Sequence, residues 1–306
     1  MADGSQHSAH YILETVYGTT PTTPTMGAVR HTEFALGVDK DTIQSAELRS
    51  DRNLSDFRMA QNKAGGSFGM ELINDAGFED FLAAVFCGAW SSGDLVNGVT
   101  RKSFSFLRHF NDMGAGTKPY HLIGGVEFAS CEIKIPTSGI ATATFETISK
   151  TYSPGESAPT GATLSAPTTT SPMDSFTGTV QEGGSAIGVI TEATVKFDNN
   201  MNRRFVIGSK DTLRPSVGKF MATGNITCYY ESAAMLDKFL NGTASSLQLQ
   251  LSNGSDTLTV LLPNIKYTGG RVDVKDDGPI TIQMPFQAIY DGTTGGAAKI
   301  TRNPTT

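Results

Sequence analysis

The sequence predicts a mainly β fold with a minor helical part: two tandem copies of an antiparallel β-sandwich or barrel unit, each with one packed α-helix. Charged residues make up only 18 % of the 306-residue chain, below the roughly 25 % of an average soluble domain. Glycine is abundant, with 33 residues, and there is one tryptophan, a composition that favours strands and turns. In addition, one order of strand, turn, helix and strands occurs twice along the chain.

The first copy is predicted from a strand that starts after Gly65 and ends near Ile73. A helix should follow, because the apolar residues from Phe78 to Phe86 recur at the spacing of one helical face. Gly88 is a suitable stop for that helix. Strands are then predicted over Val126–Ile135 and Ile140–Ile148, with a turn between them.

The second copy repeats this order from Gly224. A strand over Asn225–Tyr230 precedes Ser232, which is a suitable N-cap for a helix that ends before Gly242. Strands are predicted over residues 265–275 and 280–290, and the second alternates apolar with polar residues. Pro285 interrupts that pattern, so a free edge or a bulge is expected there.

The remaining segments set the predicted domain boundaries. Residues 1–31 are predicted to be an extended N-terminal arm, because the run 17–24 carries two prolines that exclude helix and central strand. The first unit covers 32–150 and the second covers 186–306 with a short C-terminal tail. Residues 151–185, rich in Pro, Thr, Ser and Gly, are predicted to be a linker or an exposed loop.

Composition excludes several classes of protein. The net charge of −6 and the pI near 5.4 argue against a surface that grips nucleic acid, which needs a basic footprint. Cys87, Cys131 and Cys228 lie far apart in apolar stretches, which favours buried free thiols over a disulfide framework or a zinc site. The chain start does not have the features of a secretory signal and no stretch suits a membrane span, so a reducing cytoplasm is expected.

Catalytic motifs are weak. Gly65–Gly69 matches a G-x-S-x-G nucleophile elbow at Ser67, but the elbow needs a turn from strand into helix, whereas this serine opens a strand. The five histidines are scattered without ligand spacing, so no metal or other cofactor is predicted. Phe104, Phe106 and Phe110 alternate with basic residues, which favours a strand with one packed face over a base-stacking surface. A non-enzymatic protein is therefore predicted.

Four features in order resemble the tail tube (major tail) proteins of long, non-contractile-tailed bacteriophages of the siphophage type. They are the run Tyr17–Pro21, the charged run Ser45–Arg52, a glycine-led strand that ends in Glu71–Leu72, and an acidic amphipathic helix that closes with Gly88-Ala89-Trp90. Recognisable motifs cover about the first ninety residues, and beyond them only the strand layout is similar.

The resemblance implies a structural virion protein that polymerises as stacked rings into a hollow tail tube, through which double-stranded DNA passes into the host cell. With two units per chain, three chains would make a ring of pseudo-sixfold symmetry, and six chains per ring is the alternative. Implied partners are further copies of the chain, a tape measure protein, tail terminator and tip proteins, and DNA in transit, with no membrane. The expected location is the virion tail, assembled in the bacterial host cytoplasm.

Two groups of residues are candidates for these roles. Contacts between subunits or rings are predicted at exposed arm and loop positions: Tyr17, Pro21, Pro24, Arg49, Asp51, Arg52, Asp56, Arg203 and Arg204. Acidic residues in alternating strands are candidates for lining the lumen, where they would repel DNA phosphates within a Debye length of about 8 Å: Glu127, Glu132, Glu146, Glu192, Asp198 and Asp273.

Two other functions stay open from the sequence. One is a different non-enzymatic virion protein, for head decoration or host binding, which would also be β-rich and acidic. The less favoured one is a serine esterase with Ser67 as the nucleophile.

Overall fold

The computed structural model describes residues 2–114, 116–274 and 277–303, and about half of the chain is strand. Two α-helices, α1 (Ala76–Val85) and α2 (Ala234–Leu240), and a 3-10 turn at Gly4–Gln6 lie in these ranges. The strands in chain order are β1 His7–Leu13, β2 Thr25–Val29, β3 Glu33–Phe34, β4 Gly37–Gln44, β5 Phe57–Glu71, β6 Asp94–Val96, β7 Phe104–Phe110, β8 Tyr120–Ile135, β9 Thr142–Ile148, β10 Thr151–Gly155, β11 Thr163–Leu164, β12 Asp174–Glu182, β13 Ser185–Ala186, β14 Ile190–Asp198, β15 Met221–Tyr229, β16 Ser245–Ser252, β17 Thr257–Tyr267, β18 Arg271–Asp273, β19 Thr281–Ala288 and β20 Lys299–Asn303. The predicted mainly β class with two helices is confirmed.

One continuous antiparallel layer runs through both halves of the chain. Its strand order is β4-β5-β9-β8-β14-β15-β19, and β19 then pairs with both β17 and β18. The two halves contribute the same order of four strands, since β4-β5-β9-β8 corresponds to β14-β15-β19-β17/β18. In each half a helix follows the second of these strands, α1 after β5 and α2 after β15. The predicted repeat of strand, helix and strands is therefore visible in the topology.

A second layer covers the inner side of this sheet. In the first half it contains β2, β1, β7 and the first part of β8, and in the second half β12, β16, β17, β20 and β6. Because β20 from the C-terminal half pairs with β6 from the first half, this part of the second layer is built from both halves of the chain. One hydrophobic cluster of buried residues extends through both halves.

Helix α1 lies in the densest part of this core. Asp75 caps it, since its Oδ1 accepts the Phe78 N–H at 2.8 Å. Phe78, Phe81 and Leu82 are fully buried, and the ring of Phe81 packs against Phe128 at 5.1 Å between centroids. The helical face predicted from the spacing of apolar residues is the face that packs against the sheet.

Two segments differ from the prediction. The N-terminal arm is not a free extension: β1 and β2 lie in the second layer, and Ala9, Tyr11, Met26 and Val29 are buried there. Burial of these apolar side chains compensates the entropy of ordering the segment, and the longest stretch of the arm outside helix and strand is 14–24, which includes the proline-bounded run. The segment 151–185 likewise contains the whole of β10, β11 and β12, so it is not simply a linker or an exposed loop.

The irregularity expected at Pro285 is present, but it is not a free edge. On one side Pro285 is opposite Asn225 of β15. On the other side the partner changes from β17 to β18 at this point, and the Pro285 carbonyl accepts the Thr268 N–H at 2.8 Å. Proline has no N–H to donate. It therefore fits at this point of β19, where the partner strand changes and the ladder needs no donor.

Candidate functional site: the polar face and the projecting hairpin

The side of the continuous layer that faces away from the core, here called the polar face, carries no large apolar stripe. On β9, β14 and β15, and on β8 from Ser130 onward, residues on the core side alternate with residues that are mostly polar, with Ile148, Met221 and Tyr229 as apolar residues at the strand ends. Strand alternation and the antiparallel register bring these positions side by side. They are Thr142, Thr144, Glu146, Ser130, Glu132, Lys134, Glu192, Thr194, Lys196, Asp198, Thr223, Asn225 and Thr227.

Charges of both signs are mixed on this face. Lys134 Nζ lies 3.1 Å from Glu192 Oε1 across the junction of β8 and β14. Glu146 Oε2 accepts the Ser130 hydroxyl at 2.9 Å. Toward the far edge, Arg271 and Asp273 on β18 form a 2.8 Å ion pair. Hydroxyl and amide groups separate the charges, so the face presents hydrogen-bonding groups together with scattered carboxylates.

Five of the six predicted lumen residues share the polar face, namely Glu132, Glu146, Glu192, Asp198 and Asp273. Glu127 does not belong with them: only 1 % of its side chain is exposed, so this lumen candidate is not available to line a bore. Arg214 Nε donates to Glu127 Oε1 at 2.7 Å, and Arg101 forms a short ion pair with Oε2. The segment 199–218 covers the end of the face here, since Arg101 also donates to the Pro215 carbonyl at 2.8 Å.

A projecting hairpin, residues 37–64, extends from one end of the layer. The ladder between β5 and β9 ends at the pair Gly65 and Ile148, so the part of β5 before Gly65 continues beyond β9 with only β4 as a ladder partner. Eight residues of β5 in this part correspond to about 25 Å of extended chain. Residues 45–56 form the connection at the hairpin tip, and nearly all of them are exposed.

The four charged residues predicted for inter-ring contacts in the first half lie at this tip and are exposed. Arg49 and Asp51 pair with each other at 2.8 Å, and Asp56 pairs with Arg58 at 2.8 Å. Hydrogen bonds from Arg49 hold the pKa of Asp51 low, at about 2. Arg52, with a φ of +61°, forms no ion pair among the described residues.

The corresponding loop of the second half behaves differently. Residues 199–220 connect β14 to β15 as 45–56 connect β4 to β5, but this loop folds back on its own chain. Asn62 donates its backbone N–H to the Lys210 carbonyl and its side-chain amide to Asp211, at 2.8 and 2.7 Å. Arg204 donates to the Arg214 carbonyl, and Arg203 reaches the Ser149 carbonyl at 3.4 Å. These two arginines therefore make contacts within the chain.

The three predicted contact residues of the arm also lie against the chain's own fold. Pro24 is buried, so it is not available as a contact residue, whereas Pro21 is half-buried. Lys150 Nζ and Arg214 Cζ lie over the Tyr17 ring, at 5.7 and 5.4 Å from its centroid, as cation–π contacts. Burial, followed by the carboxylate of Glu127, raises the pKa of the Tyr17 hydroxyl well above its usual range.

Sequence reasoning missed Glu14, which holds this turn in place. The buried Glu14 carboxylate accepts the backbone N–H groups of Gly18 and Gly125 at 2.7 and 2.8 Å, and the hydroxyls of Ser103 and Ser105 at 2.8 Å each. Three of its four partners come from residues 103–125, so no local sequence pattern identifies them. The proline-bounded run is thus tied to the core and to β8.

The catalytic alternatives find no support in the geometry. Ser67 lies inside β5, opposite Glu146 of β9, so the G-x-S-x-G match is neither an elbow nor the turn at the start of a strand. Phe104 and Phe106 are fully buried, so they are not a base-stacking surface, but Ser105 and Leu107 on the other side of the strand are also buried, so the strand is packed on both faces here and not on one. In the described ranges no three His, Cys, Asp or Glu side chains come together as metal ligands. All three cysteines are buried free thiols, as predicted.

Comparison with protein families identifies a family for this chain. A family model described as phage tail tube protein matches residues 4–288, which includes the polar face, the projecting hairpin and both helices. A search of curated proteins finds no match. None of the helices within the described ranges is long and apolar enough to cross a membrane.

Proposed function

This chain belongs to the phage tail tube protein family, and from that premise we propose that three copies close into a ring whose stacked repeats form the tube that conducts double-stranded DNA. The family makes it a structural protein of the virion tail that assembles with itself into a tube. The number of chains per ring, the surface that lines the bore and the passage of DNA are the parts that we propose.

The observation that carries the proposal is the shared strand order of the two halves. Within one chain, β8 at the end of the first set of strands pairs with β14 at the start of the second, from Ser130–Asp198 to Ile135–Ala193. By the same rule, β18 and the adjoining end of β17, at the end of the second set, should pair with β3 and the start of β4 of the next chain. An exposed strand edge is an association hazard in a monomer, and ring closure turns it into an interface.

The two sets of strands in each chain are the reason for proposing three chains per ring. Each chain supplies two similar sets of strands, so three chains give six sets around the axis and pseudo-sixfold symmetry. Six chains per ring remains the alternative, with twelve sets and a wider bore. The two loops at 45–56 and 199–220 differ, so successive sets are not identical and true sixfold symmetry is excluded for a ring of three.

The polar face is the surface we assign to the bore. Its central positions are hydroxyl, amide and charged groups, which do not offer bases an apolar surface, and its carboxylates repel phosphate over about 8 Å at physiological salt. Lys134 and Lys196 lie between acidic residues, and Lys134 Nζ is 3.1 Å from Glu192 Oε1. These neighbouring carboxylates limit the long-range attraction of the two lysines to DNA. The expected result is a wall that neither binds nor strongly excludes the duplex, as rapid passage requires.

Further partners are assigned by this function. A tape measure protein would occupy the bore before DNA, and terminator and tip proteins would cap the two ends of the tube. A protein without catalytic activity is consistent with these roles. Assembly would take place in the cytoplasm of the bacterial host.

Negative-stain electron microscopy of the concentrated protein tests the proposal. We expect hollow tubes with a stacked-ring repeat, and native mass spectrometry of short assemblies should give multiples of three chains. Multiples of six that never divide into three would favour the hexameric ring. Monodisperse monomers in several buffers, also after addition of virion extract, would contradict the proposed assembly.

A further inference from the structure

The tip of the projecting hairpin carries several apolar side chains that are largely exposed. Ile43, Leu48, Leu54, Phe57 and Met59 are between 48 % and 99 % exposed, all within residues 43–59. Single exposed apolar residues are common on protein surfaces, but five on one projection are a concentration of the kind that marks an interaction site. Ile43 is opposite Arg58 and so lies on the other side of the hairpin from Phe57 and Met59. Phe57 and Met59 alternate along β5 and so point to the same side.

An apolar groove, here called the seam groove, lies between the two layers of the second half. Its cavity has a volume of about 300 Å³. The floor consists of side chains that are buried or half-buried, and the rim carries Thr137, Thr191 and Gln250. The apolar lining residues used here are Ile135, Val180, Ile187, Ile190, Leu249 and Leu251.

The strand register places the tip and the seam groove at opposite ends of the continuous layer. β5 runs from the tip at Phe57 to Glu71, which pairs with Thr142 at the start of β9. Thr142 pairs in turn with Lys134 near the end of β8, and the next residue, Ile135, is opposite Ala193 near the start of β14. Ile135 and Ala193 both line the seam groove, so the groove lies at the end of the layer away from the tip.

We propose that the hairpin tip of one copy inserts Phe57 and Met59 into the seam groove of a second copy in the adjacent ring. This inference rests on the proposed function, and it names the receiving surface for the hairpin. A projection at one end and a groove at the other make a heterologous contact that does not close on itself, and repetition of such a contact generates a filament. A large aromatic residue and a methionine are side chains that are enriched in the cores of protein interfaces.

Cross-linking within assembled tubes tests the contact. The double variant Phe57→Cys/Ile187→Cys is treated with a short bis-maleimide, and denaturing electrophoresis then counts the chains that are joined. We expect a ladder well beyond the number of chains in one ring, since each chain links to one above and one below. The pair Phe57→Cys/Val99→Cys is the matched control, because Val99 is 94 % exposed and lies outside the groove. The native thiols are buried, so they contribute little background.

The outcomes separate the two proposals. A parent chain that forms no tubes contradicts the proposed function itself. Tubes that give no ladder with Ile187→Cys, or a ladder that stops at one ring, overturn the hairpin contact and leave the tube intact; the second result would assign the hairpin to a neighbour in the same ring.

A second measurement covers the case in which the cysteine variant does not assemble. Ile187→Asp should leave the thermal unfolding midpoint and the ring mass nearly unchanged while reducing tube length at least tenfold, because a carboxylate desolvated in the groove is costly. Val99→Asp should stack normally. Normal stacking of Ile187→Asp, or loss of its rings, overturns the inference.

Discussion

Lys134 Nζ and Glu192 Oε1 lie 3.1 Å apart across the strand pair that joins the first half of the chain to the second. About half of each side chain is exposed, at 54 % and 42 %, and exposed ion pairs contribute little because water screens them. We expect a double-mutant cycle of Lys134→Ala and Glu192→Ala to give a coupling of at most about 0.5 kcal/mol in urea unfolding. A coupling above about 2 kcal/mol would mean that the pair, and not the β8–β14 ladder, holds the halves together.

A much larger effect is expected at Glu127. Its carboxylate is buried between Arg101 and Arg214, and removal of one partner from a buried ion pair leaves an uncompensated charge. The two arginines retain some exposure, 22 % and 38 % of their side chains, so Glu127→Gln should cost about 3 kcal/mol of unfolding free energy, the lower end of the usual range. Urea denaturation monitored by circular dichroism measures this loss.

Glu132→Gln is the matched control for Glu127→Gln. Glu132 is an exposed glutamate on the same strand, and it should change stability by less than about 0.5 kcal/mol. Equal losses for the two variants would contradict a special role of the buried carboxylate in fastening the segment 199–218.

The close approach of β14 and β15 gives a prediction about glycine. A Cβ added to Gly224 would lie 2.1 Å from the Thr194 carbonyl oxygen and 2.5 Å from the Phe286 ring. The Thr194 backbone and the buried Phe286 ring cannot move aside easily. Gly224→Ala should therefore lower the free energy of unfolding by at least about 2 kcal/mol. Gly292→Ala is the control, since nothing lies within 4 Å of its added Cβ. Equal urea midpoints for the two variants would contradict this prediction, because β14 and β15 would then be able to move apart at little cost in free energy.

The class of fold and the two helices were predictable because they depend on local patterns. Helix α1 follows from the recurrence of Phe78, Phe81 and Leu82, and β19 from the alternation of apolar with polar residues. The sequence also identified five carboxylates of the polar face. Alternation assigns them to a strand face, although it does not give the side on which the core lies.

Contacts between distant segments were not predictable. Glu127 has the same local pattern as Glu132, and only the fold brings Arg214 from the loop 199–218 to cover it. The burial of β1 and β2 depends in the same way on β7, about a hundred residues further along the chain. The prolines at 21 and 24 correctly excluded regular structure between them, but they do not determine what their flanks pair with.

A dependence of stability on pH is expected from His7. The carbonyl of Val29 can only accept, so His31 Nδ1 donates to it at 3.0 Å, and His31 Nε2 then accepts from His7 Nδ1 at 2.8 Å. The remaining nitrogen of His7 accepts from Arg108 Nε at 3.2 Å. His7 is therefore neutral in this arrangement, and a proton on Nε2 would face the Arg108 guanidinium.

Burial, His31 and Arg108 lower the pKa of His7 from its ordinary 6.5 to about 4. Because the unfolded chain binds the proton more readily, the contribution of His7 to stability is complete above pH 6.5 and is lost as the pH falls toward 4. After allowance for its partial exposure, the loss between pH 7 and pH 5 should be about 1 kcal/mol. His7→Gln removes this titration, so the unfolding free energy of the wild type should fall by about 1 kcal/mol more than that of the variant. Ser8→Ala, on the same strand without a titratable group, should keep the wild-type dependence, and parallel curves for wild type and His7→Gln would rule out His7 as the source.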